Sequence, residues 1–201
     1  MKTIIRKWLS IGILISASTL AIHVNATILD FEGIASAGTV TSYNNQTLTH
    51  NGFDIFKSHG HVISSTYFPT LYNNHNANHG SDWLMHDSGG PQTITLTGGG
   101  DFSIQSMEYA SYRSDSGNVT ITGTYSAGGT IVDTILFTPF FATYNFSSAW
   151  IGLSSINFQG FGGASYDNIV LNEASVPEPT TLALLGLGIF GLGFSRRKRL
   201  Q

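Results

Sequence analysis

The stretch Val119-Thr120-Ile121-Thr122-Gly123-Thr124-Tyr125, Ser126-Ala127-Gly128-Gly129, Thr130-Ile131-Val132-Asp133-Thr134-Ile135-Leu136-Phe137 decides the fold. Its outer runs alternate apolar and polar residues and are rich in β-branched side chains. Their period of two suits half-buried strands and no helix. The link between them is made of small residues and two glycines, so the pair reads as an antiparallel hairpin. The same alternation recurs outward along the chain at residues 27–31, 52–56, 92–97, 102–109, 151–158 and 166–172. Turn clusters separate these runs, among them Gly98-Gly99-Gly100-Asp101 and Asp115-Ser116-Gly117-Asn118. About eight antiparallel strands at this spacing predict an all-β, two-sheet sandwich of jelly-roll type, with a closed barrel as the competing architecture. Residues 58–81 break the rhythm. They hold four of the seven histidines among many asparagines and read as a long polar loop, where binding commonly sits.

The two ends follow different rules. Lys2, Arg6 and Lys7 precede an apolar run from Trp8 to Ile22, and Val24-Asn25-Ala26 offers small residues for signal peptidase. Residues 1–26 therefore read as a signal peptide cleaved after Ala26, an uncleaved anchor being the alternative. At the other end, Pro177-Glu178-Pro179 lies in a linker, 174–180. An apolar transmembrane segment follows at 181–195, and a basic tail at 196–201 carries Arg196, Arg197, Lys198 and Arg199. Its fourteen uninterrupted apolar-run residues, Thr181 to Phe194, would span about 21 Å as a helix, against a bilayer core of about 30 Å. Gly186, Gly188, Gly191 and Gly193 loosen it further. The span is short, glycine-rich and followed by cations that stay cytoplasmic, which suits a temporary anchor gripped by a membrane enzyme.

Between the ends lies one exported domain, 27–173. Of nine Lys and Arg only Lys57 and Arg113 fall within it, against ten Asp and Glu between Thr27 and Asn172, a net charge of −8. Such a domain lacks the cationic footprint that nucleic acid or anionic lipid requires. The composition points instead toward cations, neutral glycans or no partner at all. Cysteine is absent, which removes disulfides, thiol catalysis and thiolate metal sites.

The terminal layout resembles the PEP-CTERM sorting signal of bacterial exosortase substrates, through Pro177, Glu178 and Pro179, the apolar segment and the Arg196–Arg199 cluster. The resemblance implies an inner-membrane precursor, processing by an exosortase, and a mature form in the envelope or extracellular matrix. The middle loosely resembles jelly-roll carbohydrate-binding modules, through Leu29-Asp30-Phe31-Glu32, Asn51-Gly52-Phe53 and Asp167-Asn168-Ile169. In those modules first and last strands are often neighbours and a structural calcium commonly lies there. The resemblance thus points to Glu32 and Asp167, with backbone carbonyls, as calcium ligands; the alternative is carboxylates that cap turns.

Glycan binding needs flat aromatic faces beside polar groups. Tyr67, Tyr72 and Tyr112 stand in loop-like sequence and are the surface candidates, whereas Trp83 and Trp150 sit in apolar segments and read as core. The histidines His59, His61, His75 and His79 lack a metal-site pattern and read as polar surface residues. No nucleophile elbow or phosphate loop is present, and no carboxylate pair is marked as catalytic. The expectation is a non-enzymatic, exported protein that binds extracellular polysaccharide or serves the matrix structurally. A secreted polysaccharide hydrolase with Asp/Glu catalysis is the alternative.

Overall fold

A computed structural model describes residues 26–67, 80–86, 90–112 and 116–173, and every regular element in them is a strand. In chain order these are β1 (Ala26–Leu29), β2 (Val40–Ser42), β3 (Gln46–His50), β4 (Phe53–Lys57), β5 (Gly60–Ile63), β6 (Trp83–His86) and β7 (Gln92–Leu96). They continue as β8 (Phe102–Ser111), β9 (Gly117–Tyr125), β10 (Thr130–Phe137), β11 (Ala142–Asn145), β12 (Leu153–Gly160) and β13 (Ala164–Glu173). Residues 1–25, Tyr72, the linker, the apolar segment and the basic tail lie outside the described residues.

All eight expected strands are present, and the 119–137 stretch forms its hairpin, with Thr130 opposite Thr124 and Phe137 opposite Gly117. The link is closed by Tyr125 N–H donating to Gly129 O at 3.0 Å, with Gly128 and Gly129 at φ of 94° and 90°. That left-handed backbone is where glycine is favoured. The expected strand number is corrected from about eight to thirteen among the described residues. The five additions lack a clear period of two. β2 and β11 are only three and four residues long. β3 has a single apolar inward residue, Leu48. β6 is buried on both faces and β5 nearly so, which replaces alternation by a short apolar run. β5 also lies in the segment expected to be strand-poor.

The two expected sheets are one. The antiparallel ladder runs β2-β5-β6-β13-β8-β12-β7-β4-β3, with β1 on β13, β11 on β8, and β9 joining β12 to β10. Its two halves meet through one residue pair, Leu153 opposite Phe102. The sheet curls there, and its halves face each other across shared aromatics. Phe53 of β4 meets Phe102 of β8 at 5.3 Å between ring centroids. Phe137 of β10 lies 4.7 Å from Tyr109 of β8 and 5.4 Å from Tyr166 of β13, and Phe158 of β12 lies 4.9 Å from Tyr166. Trp150 is buried against Phe146, as its apolar setting predicts.

One inward row ends on a charged residue. In β4 the inward row is Phe53, Ile55 and Lys57, and Lys57 is 0% exposed. Its Nζ finds no hydrogen-bond partner and lies 5.3 Å from the centre of the Tyr43 ring. Burial pulls its pKa from 10.5 down to about 7. Close packing holds the side chain in place, since a Cβ on Gly60 would come within 2.5 Å of Lys57 Cδ.

Candidate functional site

Successive residues of a strand point to opposite faces, and β5 and β6 use both. Val62 and Leu84 enter the main core, whereas Ile63, Trp83 and Met85 form a second apolar cluster. Against that cluster pack Val40 of β2, Tyr67, Tyr112 and Phe141. Three separate segments bring these aromatics together. Tyr67 follows β5 in a turn in which its N–H donates to Ser64 O at 2.9 Å. The turn is tied further by Ser65 N–H donating to Asp82 Oδ1 at 2.8 Å and Gly38 N–H donating to Thr66 Oγ1 at 2.7 Å. Tyr112 follows β8, its N–H donating to Gly163 O at 2.6 Å. Phe141 precedes β11. Tyr67, Tyr112 and Phe141 are half-buried, and Trp83 in the cluster they pack against is fully buried. Two of the three tyrosines expected at the surface are thus neighbours of one patch, although 45 positions separate them in sequence. Phe141 was missed. It sits in a Pro139-Phe140-Phe141 corner with no alternation to mark it.

The carboxylates expected at the chain's two ends also approach each other. β1 pairs with β13, placing Leu29 opposite Ile169, so the first and last strands are neighbours. Glu32 Oε1 accepts from Asp82 N–H at 3.0 Å. Asp167 is buried; Oδ2 accepts from the Ser81 hydroxyl and Oδ1 from Asn168 N–H at 2.7 Å. Directly across the ladder from Asp167 stands Glu108 of β8, which accepts from Asn168 Nδ2 at 2.9 Å. A register shift follows between Asp167 and Val170, with Asn168 at φ 46°. Such an irregularity re-aims a side chain out of the ladder. Burial pushes Asp167 up from 3.8 to about 7; the two hydrogen bonds oppose that rise, and the charges of Glu108 and Glu32 add to it. Glu108 was invisible in the sequence because only the β8–β13 register sets it opposite Asp167. Among the described residues no group of three His, Asp or Glu is placed to hold a metal ion by itself.

The histidines divide. His59 is exposed, and His61 Nδ1 shares a 2.9 Å hydrogen bond with Ser42 Oγ. His50 Nε2 lies 3.1 Å from Asp30 Oδ1 and stacks on Phe31 at 5.9 Å. His86 is fully buried at the end of β6. His75 and His79 lie outside the described residues.

Residues 175–198 match the model of the PEP-CTERM protein-sorting motif. The chain carries that sorting motif. It contains Pro177, Glu178, Pro179, the apolar segment and three of the four terminal cations. No curated protein matches the chain. Among solved structures, a family 29 carbohydrate-binding module is 17% identical over 80% of this chain and 99% of its own, with a TM-score of 0.40. A family 4 carbohydrate-binding module is 13% identical over 74% and 86%, at 0.27. An agarase is 11% identical over 77% of this chain and 25% of its own, at 0.34. At such scores the likeness decides nothing about a ligand.

Proposed function

We propose that this is an exported, non-catalytic protein whose β domain, a two-layer sandwich of jelly-roll type, binds extracellular polysaccharide. One observation carries the reading: Tyr67, Tyr112 and Phe141 pack against the Ile63, Trp83 and Met85 cluster, which is separate from the main core. Tyrosine faces stack on sugar rings while their hydroxyls reach sugar hydroxyls. The acidic, cation-poor domain favours neutral glycans over anionic ones. The sorting motif supports an inner-membrane precursor that an exosortase processes, after signal peptidase has acted at Ala26. The mature form then works in the envelope, matrix or biofilm.

Affinity electrophoresis and calorimetry with neutral glycans and with the producer's own polysaccharide test the binding. The wild type is expected to bind, and Tyr67→Ala and Tyr112→Ala to weaken it. If the wild type binds none of them, a purely structural matrix role replaces this reading. Mass spectrometry of the mature C-terminus, with and without exosortase, tests the sorting; an intact Gln201 on the exported protein overturns it.

Glu32 and Asp167 are also proposed as calcium ligands. The supporting observation is that the charges of Glu108 and Glu32 disfavour an ionised Asp167, a repulsion that a divalent cation would relieve. Backbone carbonyls and water must then supply most of the six to eight oxygens. The same carboxylates bear on the hydrolase alternative. A carboxyl raised to about 7 beside two others resembles a general acid, but Asp167 is buried and both its oxygens accept hydrogen bonds. Release of reducing sugar from polysaccharide, abolished by Asp167→Asn, would establish catalysis.

A further inference from the structure

Five of the described strands pair on one side only: β1, β2, β3, β10 and β11. Four of them are short, at four, three, five and four residues, which is one way proteins blunt a sheet edge. β10 is eight residues long and pairs only with β9 among the described strands. It carries no lysine, proline or bulge, and its outward row is Thr130, Val132, Thr134 and Leu136, with Val132 53% and Leu136 55% exposed. Its only charge, Asp133, points the other way and accepts from the Tyr144 hydroxyl at 2.9 Å.

The hairpin register shows which peptide groups are free. Tyr125 and Gly129 form the hydrogen-bonded pair that closes the hairpin, since Tyr125 N–H donates to Gly129 O. Antiparallel ladders alternate bonded and non-bonded pairs. Counting along the register, Ile131, Asp133 and Ile135 direct their peptide groups to β9, while Val132, Thr134 and Leu136 direct theirs to the open edge. The residues with exposed side chains are therefore the ones with available N–H and C=O groups.

We propose that β10 pairs antiparallel with β10 of a second copy of this chain, with Thr134 on the two-fold axis. In that register Val132 lies opposite Leu136 of the second copy and Thr134 opposite its counterpart. All three make bonded pairs, and the apolar row continues across the junction. Charge also fits. Asp133 falls opposite Ile135 of the second copy, so no like charges face each other, although the domain as a whole is acidic. Shifting the register by one residue would set the peptide groups out of phase. The contact is isologous and uses each edge once, so it closes as a dimer without growing into a fibre. The pairing is independent of the glycan reading; if both hold, it doubles the number of aromatic patches per particle.

A chain without cysteine allows a register-specific test on the full-length protein in detergent. The bonded antiparallel geometry sets Cα atoms about 5.5 Å apart on the axis, within disulfide range. Thr134→Cys should therefore crosslink to a covalent dimer under mild oxidation. Val132→Cys should not, because two such residues lie four positions out of register, about 13 Å apart along the strand. Thr134→Lys should shift the sedimenting species from dimer to monomer, since it places two ammonium groups face to face. Association through the apolar tail would crosslink both cysteine variants or neither. Either of those patterns, or a dimer that survives Thr134→Lys, overturns the proposal.

Discussion

Lys57→Met should stabilise this protein, and by an amount that depends on pH in a calculable way. Lys57 is fully buried and lacks a hydrogen-bond partner, so folding penalises its charged form. Its pKa falls from 10.5 in the unfolded chain to about 7 in the fold. The sign follows from proton counting: below 10.5 the unfolded chain holds a proton that the folded chain resists. Stability from this group is full above pH 10.5, declines as pH falls toward 7, and levels off below. At 1.36 kcal/mol per pKa unit the penalty is about 5 kcal/mol at pH 5, about 4 at pH 7 and about 1–2 at pH 9.5. Methionine has similar length, fills the same space and carries no charge. Its advantage over wild type should therefore shrink about threefold between pH 5 and pH 9.5. Near pH 7 it should appear as a rise in Tm of about 8–16 °C for a domain of this size. Paired thermal melts of both full-length proteins at the three pH values measure it, and effects common to both, including those of Asp167, cancel in the difference. A pH-independent difference, or a destabilised variant at pH 5, would refute the buried, unpaired ammonium as the cause.

The other predictions concern packing, charge and binding. Gly123→Ala should cost about 1–3 kcal/mol in chemical denaturation, because its Cβ would meet Ile131, Trp150 and Leu153 at 2.9–3.0 Å. Asp167 has a raised pKa, so its contribution is full below pH 3.8 and lost as pH rises through about 7. Asp167→Asn should therefore flatten the wild-type loss of stability across that window. Calcium should raise the wild-type midpoint most near pH 7 and above, where the carboxyl is ionised; a melt unchanged by chelator would remove Glu32 and Asp167 as ligands. Tyr112→Ala should lower glycan affinity about tenfold or more if stacking carries the binding. Equal affinity in that variant and in wild type would place the ligand elsewhere.

Local pattern explains why some of this was readable. The 119–137 hairpin combines β-branched alternation with a glycine turn, so its strands and connection are set within one contiguous segment. Trp83 and Trp150 were identifiable as core from their apolar neighbours. β5 and β6 were not readable as strands, because burial on both faces erases the alternation that marks one. The aromatic patch was half legible: Tyr67 and Tyr112 stand out as loop tyrosines, but nothing in their neighbourhoods says that they meet. Glu108 and Lys57 show the same limit from the other side. Each looks like an ordinary charged residue on an alternating strand.

By itself, then, the sequence determined the all-β class, the hairpin, the acidic cysteine-free middle and the sorting motif at residues 175–198, since each is written in contiguous residues or in composition. Only the tertiary structure decided what is opposite what. Register between distant strands set Glu108 against Asp167, turned the inward row of β4 into a burial site for Lys57, gathered Tyr67, Tyr112 and Phe141 against the Ile63, Trp83 and Met85 cluster, and left the long β10 with one partner among the described strands. The physical reason is that a strand's pattern reports which face is buried, whereas cross-strand neighbours depend on pairings that no local segment encodes.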